Sequence, residues 1–294
     1  MQNAEGPPFL IEIAIEPRSA GDREKLDLAL SELVQRYRTL GFTTDPETGQ
    51  VVLKGTDEPQ LEIIVDCIKS EFRVDADIGP PQIAYRETIT RAAEVDHIHR
   101  KQNEFARVQL RLEPAPPGSG FAFESTIGSA LPGDYVRGVE QGLRGAAKDG
   151  VIAGFPMIDL KAILVDGSSH ETDSNQRIFE VAGRAAFKEC AAKAAPALLE
   201  SIMRVEIVTP HEYLGDVIGD LNQRRGMVIG LKPQDSKRIA EAFAPLANMF
   251  GHAEMLRSIS QHQATFRIQF DHYQTVPTFE PPPDRFPPAI GMRG

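Results

Sequence analysis

The densest concentration of side chains able to do polar chemistry is the run from Asp166 to Ser174, DGSSHETDS. It holds one imidazole, His170, among hydroxyls and carboxylates. An imidazole at a loop apex can stack on a base, or donate to a phosphate oxygen or a ribose 2′-hydroxyl. The acids Glu171 and Asp173 disfavour indiscriminate backbone binding and fit a shaped contact better. The same composition also describes an ordinary polar turn with caps between a strand and a helix. A second candidate is Arg224-Arg225-Gly226, in a turn between a helix and a strand. It reads either as two guanidinium groups projected toward phosphate or as a solvated pair complementing the helix dipole, with Gly226 supplying a tight turn. The third is the stretch from His97 to Arg111, where Arg100, Lys101, Arg107 and Arg111 are opposed in sequence only by Glu104.

Other chemistries find no support. The sequence has no glycine-rich phosphate loop, no HExxH pair and no GxSxG elbow. His97 and His99 share a face if they lie on a strand, but two imidazoles without a third ligand make no metal centre. Neither catalysis by this chain alone nor a cofactor within it is expected. The formal charge of −10 argues against a generic nucleic-acid binder, while small basic foci suit local contacts on one surface. Cys67 and Cys190 lie far apart in apolar-striped helices and read as reduced core thiols, so a cytoplasmic protein is expected. No run of roughly eighteen apolar residues and no basic-then-apolar leader occurs, so no membrane partner is expected.

These candidates must be held by folded elements. At 294 residues and 41% hydrophobic, the chain is long for one core, and two or three domains are expected. In residues 1–79, the periodicity predicts strands at Phe9 to Ile15, from Phe42, at Val51 to Lys54 and at Arg73 to Asp77. Helical stripes Leu26, Leu30, Leu33, Tyr37 and Leu61, Ile64, Val65, Ile68, Phe72 lie between them, and Pro46 and Gly49 mark a turn. Residues 80–200 form a second module. It has strands at Ile83 to Thr90, Ala106 to Glu113 and Pro156 to Val165, a helix through Tyr135, Val139, Leu143 and Ala146, and a long helix from Ser174 to Ala194 capped by Ser174 or Asn175. In residues 201–277, strands are expected at Ile202 to Val208, Met227 to Leu231, Ile239 to Ala244 and Thr265 to Phe270. Helices are expected through Tyr213, Val217 and Leu221 and around Leu246 to Leu256. The order β-α-β-β-α-β therefore occurs at both ends, as in ferredoxin-like sandwiches. Residues 278–294 are rich in proline and read as an irregular tail.

With the elements placed, ordered motifs become legible. They are IEP at Ile15 to Pro17, ETGQ at Glu47 to Gln50, LEIIVD at Leu61 to Asp66, PQIAYRETIT at Pro81 to Thr90 and GFPMID at Gly154 to Asp159. DGSSHETDS, IMRVEIVTP, EYLGDVIGDLNQRRG, PLANMFG at Pro245 to Gly251 and FDHYQTVP at Phe270 to Pro277 complete the series. Almost the whole chain thereby resembles the third, fourth and fifth domains of bacterial elongation factor G.

The resemblance implies an α+β fold in which two ferredoxin-like sandwiches flank an elongated α+β fourth domain. It implies a ribosome-contacting, C-terminal portion of a translational GTPase that promotes translocation of transfer and messenger RNA. GTP and magnesium would belong to N-terminal GTPase domains outside this chain, and the full-length factor would be the enzyme. Ser168, Ser169, His170 and Glu171, with Arg100, Lys101 and Gln102, would contact RNA at the fourth domain's tip. Arg224 and Arg225 would contact the ribosome from the fifth domain. Gly55, Glu58, Gln60 and Glu62 would couple the third domain to the GTPase. The implied partners are the ribosome, ribosomal RNA, the transfer and messenger RNA of the decoding region, and the GTPase domains, with the chain itself monomeric. The start at Met1 and Gln2 reads as that of an excised or naturally truncated piece of a longer factor.

Two places depart from the family pattern. Arg100 to Phe105, RKQNEF, lacks the glycines of the family's tip loop and is shorter, and Gly55 to Glu62 reads GTDEPQLE where the family resembles GMGELHLE. They keep a divergent recycling, rescue or regulatory factor as an alternative, and a protein-binding scaffold as a third reading.

Overall fold

The structure is a computed structural model that describes residues 9–44 and 50–277. The turn expected at Pro46 and Gly49 and the proline-rich tail lie outside these residues. The described chain divides after Ala84 into two compact units.

The first unit contains β1 (Ile11–Pro17), α1 (Ala20–Arg36), β2 (Gly41–Thr44), β3 (Val51–Gly55), α2 (Glu58–Ser70), β4 (Ala76–Ile78) and the short β5 (Gln82–Ile83). The helices begin where the sequence supplies caps. Ser19 Oγ accepts the Asp22 amide, and Asp57 accepts the Gln60 amide ahead of Pro59 in the first turn of α2. Their apolar stripes, Leu26, Leu30 and Leu33 on α1 and Leu61, Ile64 and Ile68 on α2, are fully buried. Each such side chain contributes about 1.5–3 kcal/mol of transfer free energy. The sheet runs β2-β3-β1-β4 with antiparallel neighbours, and β5 also pairs β1. This is the ferredoxin-like order.

The second unit opens with β6 (Arg86–Ile89), β7 (Ala93–Lys101), β8 (Glu104–Pro114), β9 (Phe121–Ser125), α3 (Gly133–Asp149), β10 (Leu160–Ser168) and α4 (Gln176–Lys193). β11 (Pro196–Pro210), α5 (Leu214–Gln223), β12 (Met227–Gln234), β13 (Lys237–Pro245), α6 (His252–Ile259) and β14 (Thr265–Thr275) follow. One sheet runs β7-β8-β10-β9, with only β9 parallel to its neighbour. Alternating residues of β8, Ala106, Val108, Leu110 and Leu112, pack inward with Phe179 and Phe187 of α4 and Val139 and Leu143 of α3. The second sheet runs β12-β13-β11-β14, repeating the order of the first unit.

Several elements differ from the sequence expectation. The strand expected from Ile83 to Thr90 is broken at Ala84 and Tyr85, and β6 pairs with Pro196–Leu199 of β11. β11 consequently starts before residue 200 and runs as one strand alongside β6, β13 and β14. The helix expected over Leu246 to Leu256 is interrupted, because Gly251 adopts a left-handed conformation (φ 68°) between a short 3-10 turn, Leu246–Asn248, and α6.

Glycine sets the approach of α3 to α4. A Cβ on Gly138 would collide with the Gln176 carbonyl, and one on Gly142 with the Glu180 carbonyl, so only hydrogen lets the helices meet this closely. That contact fixes the first turns of α4, and with them the loop that leads into it.

Candidate nucleic-acid interface

β7 and β8 form a hairpin closed by the Lys101–Glu104 pair, which leaves Gln102 and Asn103 as a two-residue turn. Arg100 to Glu104 are all exposed, and the Arg100 guanidinium lies 5.4 Å from the centre of the Phe105 ring. β10 ends at Ser168, and the chain then crosses through Ser169–Asn175 to α4. The cap of α4 is Asn175, whose Oδ1 accepts the Ile178 amide at 3.0 Å.

The loop is docked on the hairpin by one backbone hydrogen bond and one from a side-chain hydroxyl. Phe105 N donates to the Asp173 carbonyl at 2.7 Å, and Ser174 Oγ donates to the Phe105 carbonyl at 2.6 Å. Tyr135 Oη donates to the Ser174 carbonyl at 3.1 Å, while its ring stacks on Phe179 with centroids 4.8 Å apart. His170 stays in solvent, its side chain 60% exposed, with Nδ1 3.2 Å from Thr172 Oγ1 and 3.3 Å from Asp173 Oδ2. Ser169, Glu171 and Thr172 are exposed beside it, and Ser168 is half-buried at the strand end. A cleft of about 580 Å³ between the hairpin turn and the start of α4 is lined by Lys101, Gln102, Asn103, Glu104, Asn175 and Ile178. Arg100, Lys101 and Gln102 thus share one end of this domain with the His170 loop, although sixty residues or more separate them in sequence.

A β-bulge aims the loop. β10 pairs Leu164 with Leu110 and then Asp166 with Gln109, so one extra residue, Val165, shifts the alternation. Leu164 remains in the core, and Asp166 turns outward to meet Arg107 at 2.8 Å. Arg107 also takes both oxygens of Asp96. These partners raise the Arg107 pKa, and the Gly167 amide together with Arg107 holds the Asp166 carboxyl below its ordinary range. Arg111 is paired with Glu94. The basic stretch read from the sequence is therefore smaller in space, because carboxylates from β7 and β10 neutralise Arg107 and Arg111. His97 and His99 each meet a carboxylate, Glu189 at 3.3 Å and Glu104 at 3.0 Å, and the latter bond lowers the Glu104 pKa.

Arg224 and Arg225 differ from the picture of two projecting cations. Arg224 is 16% exposed, and its Nε meets both oxygens of Asp220 at 3.0 Å while Nη1 donates to the carbonyls of Asn248 and Phe250. Arg225 reaches Glu200, which is almost fully buried, at 2.8 and 3.2 Å. The left-handed residue of this turn is Arg225 itself (φ 59°) and not Gly226. Gly226 N donates to the Leu221 carbonyl and Arg225 N to the Asn222 carbonyl, the paired bonds of a Schellman ending. Gly226 is needed for close approach, since a Cβ there would lie 2.7 Å from the Leu221 carbonyl oxygen.

In the first unit, Gln60 is turned inward. Its Oε1 accepts from the amide and hydroxyl of Thr56 at 3.1 Å, and its Nε2 bonds the Thr39 hydroxyl. Gly55 is buried against Leu61, with a Cβ there 2.8 Å from that side chain. Glu62 is exposed and Glu58 half-buried on α2.

Sequence reasoning did not single out Glu87. Its fully buried carboxylate accepts four backbone N–H groups, from Val151 at 2.6 Å, Ile152 at 2.9 Å, Ala153 at 2.8 Å and Phe155 at 3.1 Å. Gly150, at φ 66°, ends α3 and starts this nest. The motif PQIAYRETIT contained Glu87, but nothing local in it points to amides more than sixty residues away.

Known proteins resemble this chain in sequence and fold. The family model for Elongation Factor G, domain III, matches residues 7–80, that for Elongation factor G, domain IV, residues 81–195, and that for the Elongation factor G C-terminus residues 197–281. Elongation factor G of Ehrlichia chaffeensis is 49% identical over 282 residues, covering 94% of this chain and 41% of that protein. Elongation factor G of Paracoccus denitrificans is 50% identical over 276 residues, covering 92% and 39%. A crystal structure of a Thermus thermophilus protein superposes with a TM-score of 0.73 at 34% identity, covering 93% of this chain and 42% of that one. This chain thus spans about two fifths of the length of the relatives it matches. The two ferredoxin-like orders, the intervening mixed sheet and three consecutive domain matches agree, and the chain belongs to the elongation factor G family.

Proposed function

We propose that this chain is the ribosome-facing portion of a translational GTPase, whose fourth-domain tip enters the decoding region as transfer and messenger RNA translocate. The observation that carries the reading is the docking of the His170 loop on the Arg100–Glu104 hairpin, which presents an imidazole and two cations at one exposed end. His170, Ser169 and Lys101 can donate to phosphate or ribose oxygens, and Glu171 and Glu104 discourage indiscriminate binding along a strand. Arg225 and the exposed Glu62 are the remaining candidates for contacts outside the chain.

Among the described residues no group of His, Cys, Asp and Glu is placed to hold a metal ion, and the sequence has no phosphate loop. We therefore assign GTP and magnesium to the GTPase domains of a full-length factor, coupled through the third domain at Gly55 to Glu62. The proposed partners are the ribosome, its RNA and those GTPase domains, with a cytoplasmic, monomeric factor. Among the described residues no helix is long and apolar enough to cross a membrane.

A second reading, a factor specialised for recycling or rescue, is favoured by one observation. The tip hairpin turns in two residues, Gln102 and Asn103, without glycine. A full-length factor assayed for translocation and for recycling on the same ribosomes tests both readings. Translocation dependent on His170 supports the first, and recycling without translocation selects the second.

A further inference from the structure

The Ser174 hydroxyl bonds in two directions at once. Its Oγ accepts the His170 backbone N–H at 2.8 Å and donates to the Phe105 carbonyl at 2.6 Å. A hydroxyl has one donor and two acceptor lone pairs, so both bonds form together. It therefore ties the apex of the loop, across four residues, to the first turn-proximal peptide of β8.

Its neighbours do not duplicate this link. The Phe105 N–H to Asp173 carbonyl bond and the Tyr135 hydroxyl to Ser174 carbonyl bond hold residues 173 and 174, and neither touches the His170 backbone. The start of α4 is capped by Asn175, not by Ser174. The His170 ring rests within 3.3 Å of Thr172 and Asp173 in the same short span, so moving its backbone moves the ring relative to both.

We propose that Ser174 is the positioning residue for His170. Its hydroxyl fixes the loop apex against the hairpin, and it acts on RNA only through the imidazole it places. The functional part of this statement rests on the reading that His170 meets RNA.

The test uses Ser174→Ala and Ser174→Thr. In this chain, amide hydrogen exchange at His170 should speed up about five- to tenfold in Ser174→Ala, the equilibrium counterpart of one lost hydrogen bond. Exchange should stay within about twofold of the parent in Ser174→Thr, which keeps the hydroxyl. In the full-length factor, Ser174→Ala should slow translocation by a similar factor without changing uncoupled GTP turnover, and Ser174→Thr should restore it. His170 exchange unchanged in Ser174→Ala, or a threonine variant as impaired as alanine in exchange and translocation, would overturn the proposal. Translocation that needs His170 but ignores Ser174→Ala would overturn it too. If His170→Ala itself is harmless, the RNA reading fails, while the exchange data still decide whether Ser174 holds the loop.

Discussion

Arg224 and Asp220 form a two-point ion pair at the end of α5, with Arg224 Nε 3.0 Å from each carboxylate oxygen and both side chains mostly shielded. His252 Nδ1 lies 2.9 Å from the same carboxylate, and Arg224 also clamps the Asn248 and Phe250 carbonyls. The motifs EYLGDVIGDLNQRRG and PLANMFG are thus two sides of one polar contact.

Replacing Arg224 with Ala should therefore destabilise the fold, by about 2–4 kcal/mol, because a shielded carboxylate and two carbonyls lose their donor. Arg225→Ala should also cost stability by leaving the buried Glu200 unpaired, with no gain at the left-handed backbone, because alanine keeps the Cβ that glycine lacks. Urea unfolding of both variants measures this. Unchanged midpoints would return the pair to a solvated, purely external role.

Glu87 holds the loop after α3 by accepting four amides. Glu87→Ala should cost about 3 kcal/mol or more, since the buried donors are left unsatisfied. Faster amide exchange at Val151, Ile152, Ala153 and Phe155 should accompany the loss. An alanine variant as stable as the parent would show that water replaces the carboxylate without penalty.

Burial holds the His252 pKa below its ordinary value, against the opposing pull of Asp220. The unfolded chain then takes up the proton first, so the contribution of His252 to stability is complete above about pH 6.5 and is lost as pH falls below that value. Carboxyls with lowered pKa values, such as Glu94 and Asp166, lose their contribution only near or below about pH 4. Stability measured between pH 7 and 5 should decline in the parent and decline less in His252→Gln. Identical profiles would remove His252 as the cause.

Periodicity and caps made the ferredoxin-like halves legible, since Leu26, Leu30 and Leu33 or Val217 and Leu221 mark one helical face with local signals alone. Strands β7 and β9 were not foreseen. β7 alternates buried Val95 with charged and histidine residues whose partners lie on other elements, and β9 is short, with no buried residue. The left-handed Gly251 that splits the expected helix, and the bulge at Val165, depend on packing that no local pattern displays. At the tip, His170 and Arg100 were readable by residue type. Their shared place at the tip came from the family resemblance and not from any local pattern, because the contact is made by Ser174, Phe105 and Tyr135 across the sheet. For Arg224 and Arg225, residue type suggested RNA, whereas their carboxylate partners lie 4 and 25 residues away.

The central claim is that the exposed imidazole of His170, held at the tip, acts on RNA movement and not on nucleotide chemistry. The most direct measurement is single-round translocation by a full-length factor with His170→Ala, alongside uncoupled GTP turnover on the same ribosomes. A rate at least about tenfold lower, equivalent to ~1.4 kcal/mol of barrier, with GTP turnover unchanged is the predicted result. Translocation at the parent rate, or a parallel loss of both activities, would contradict it.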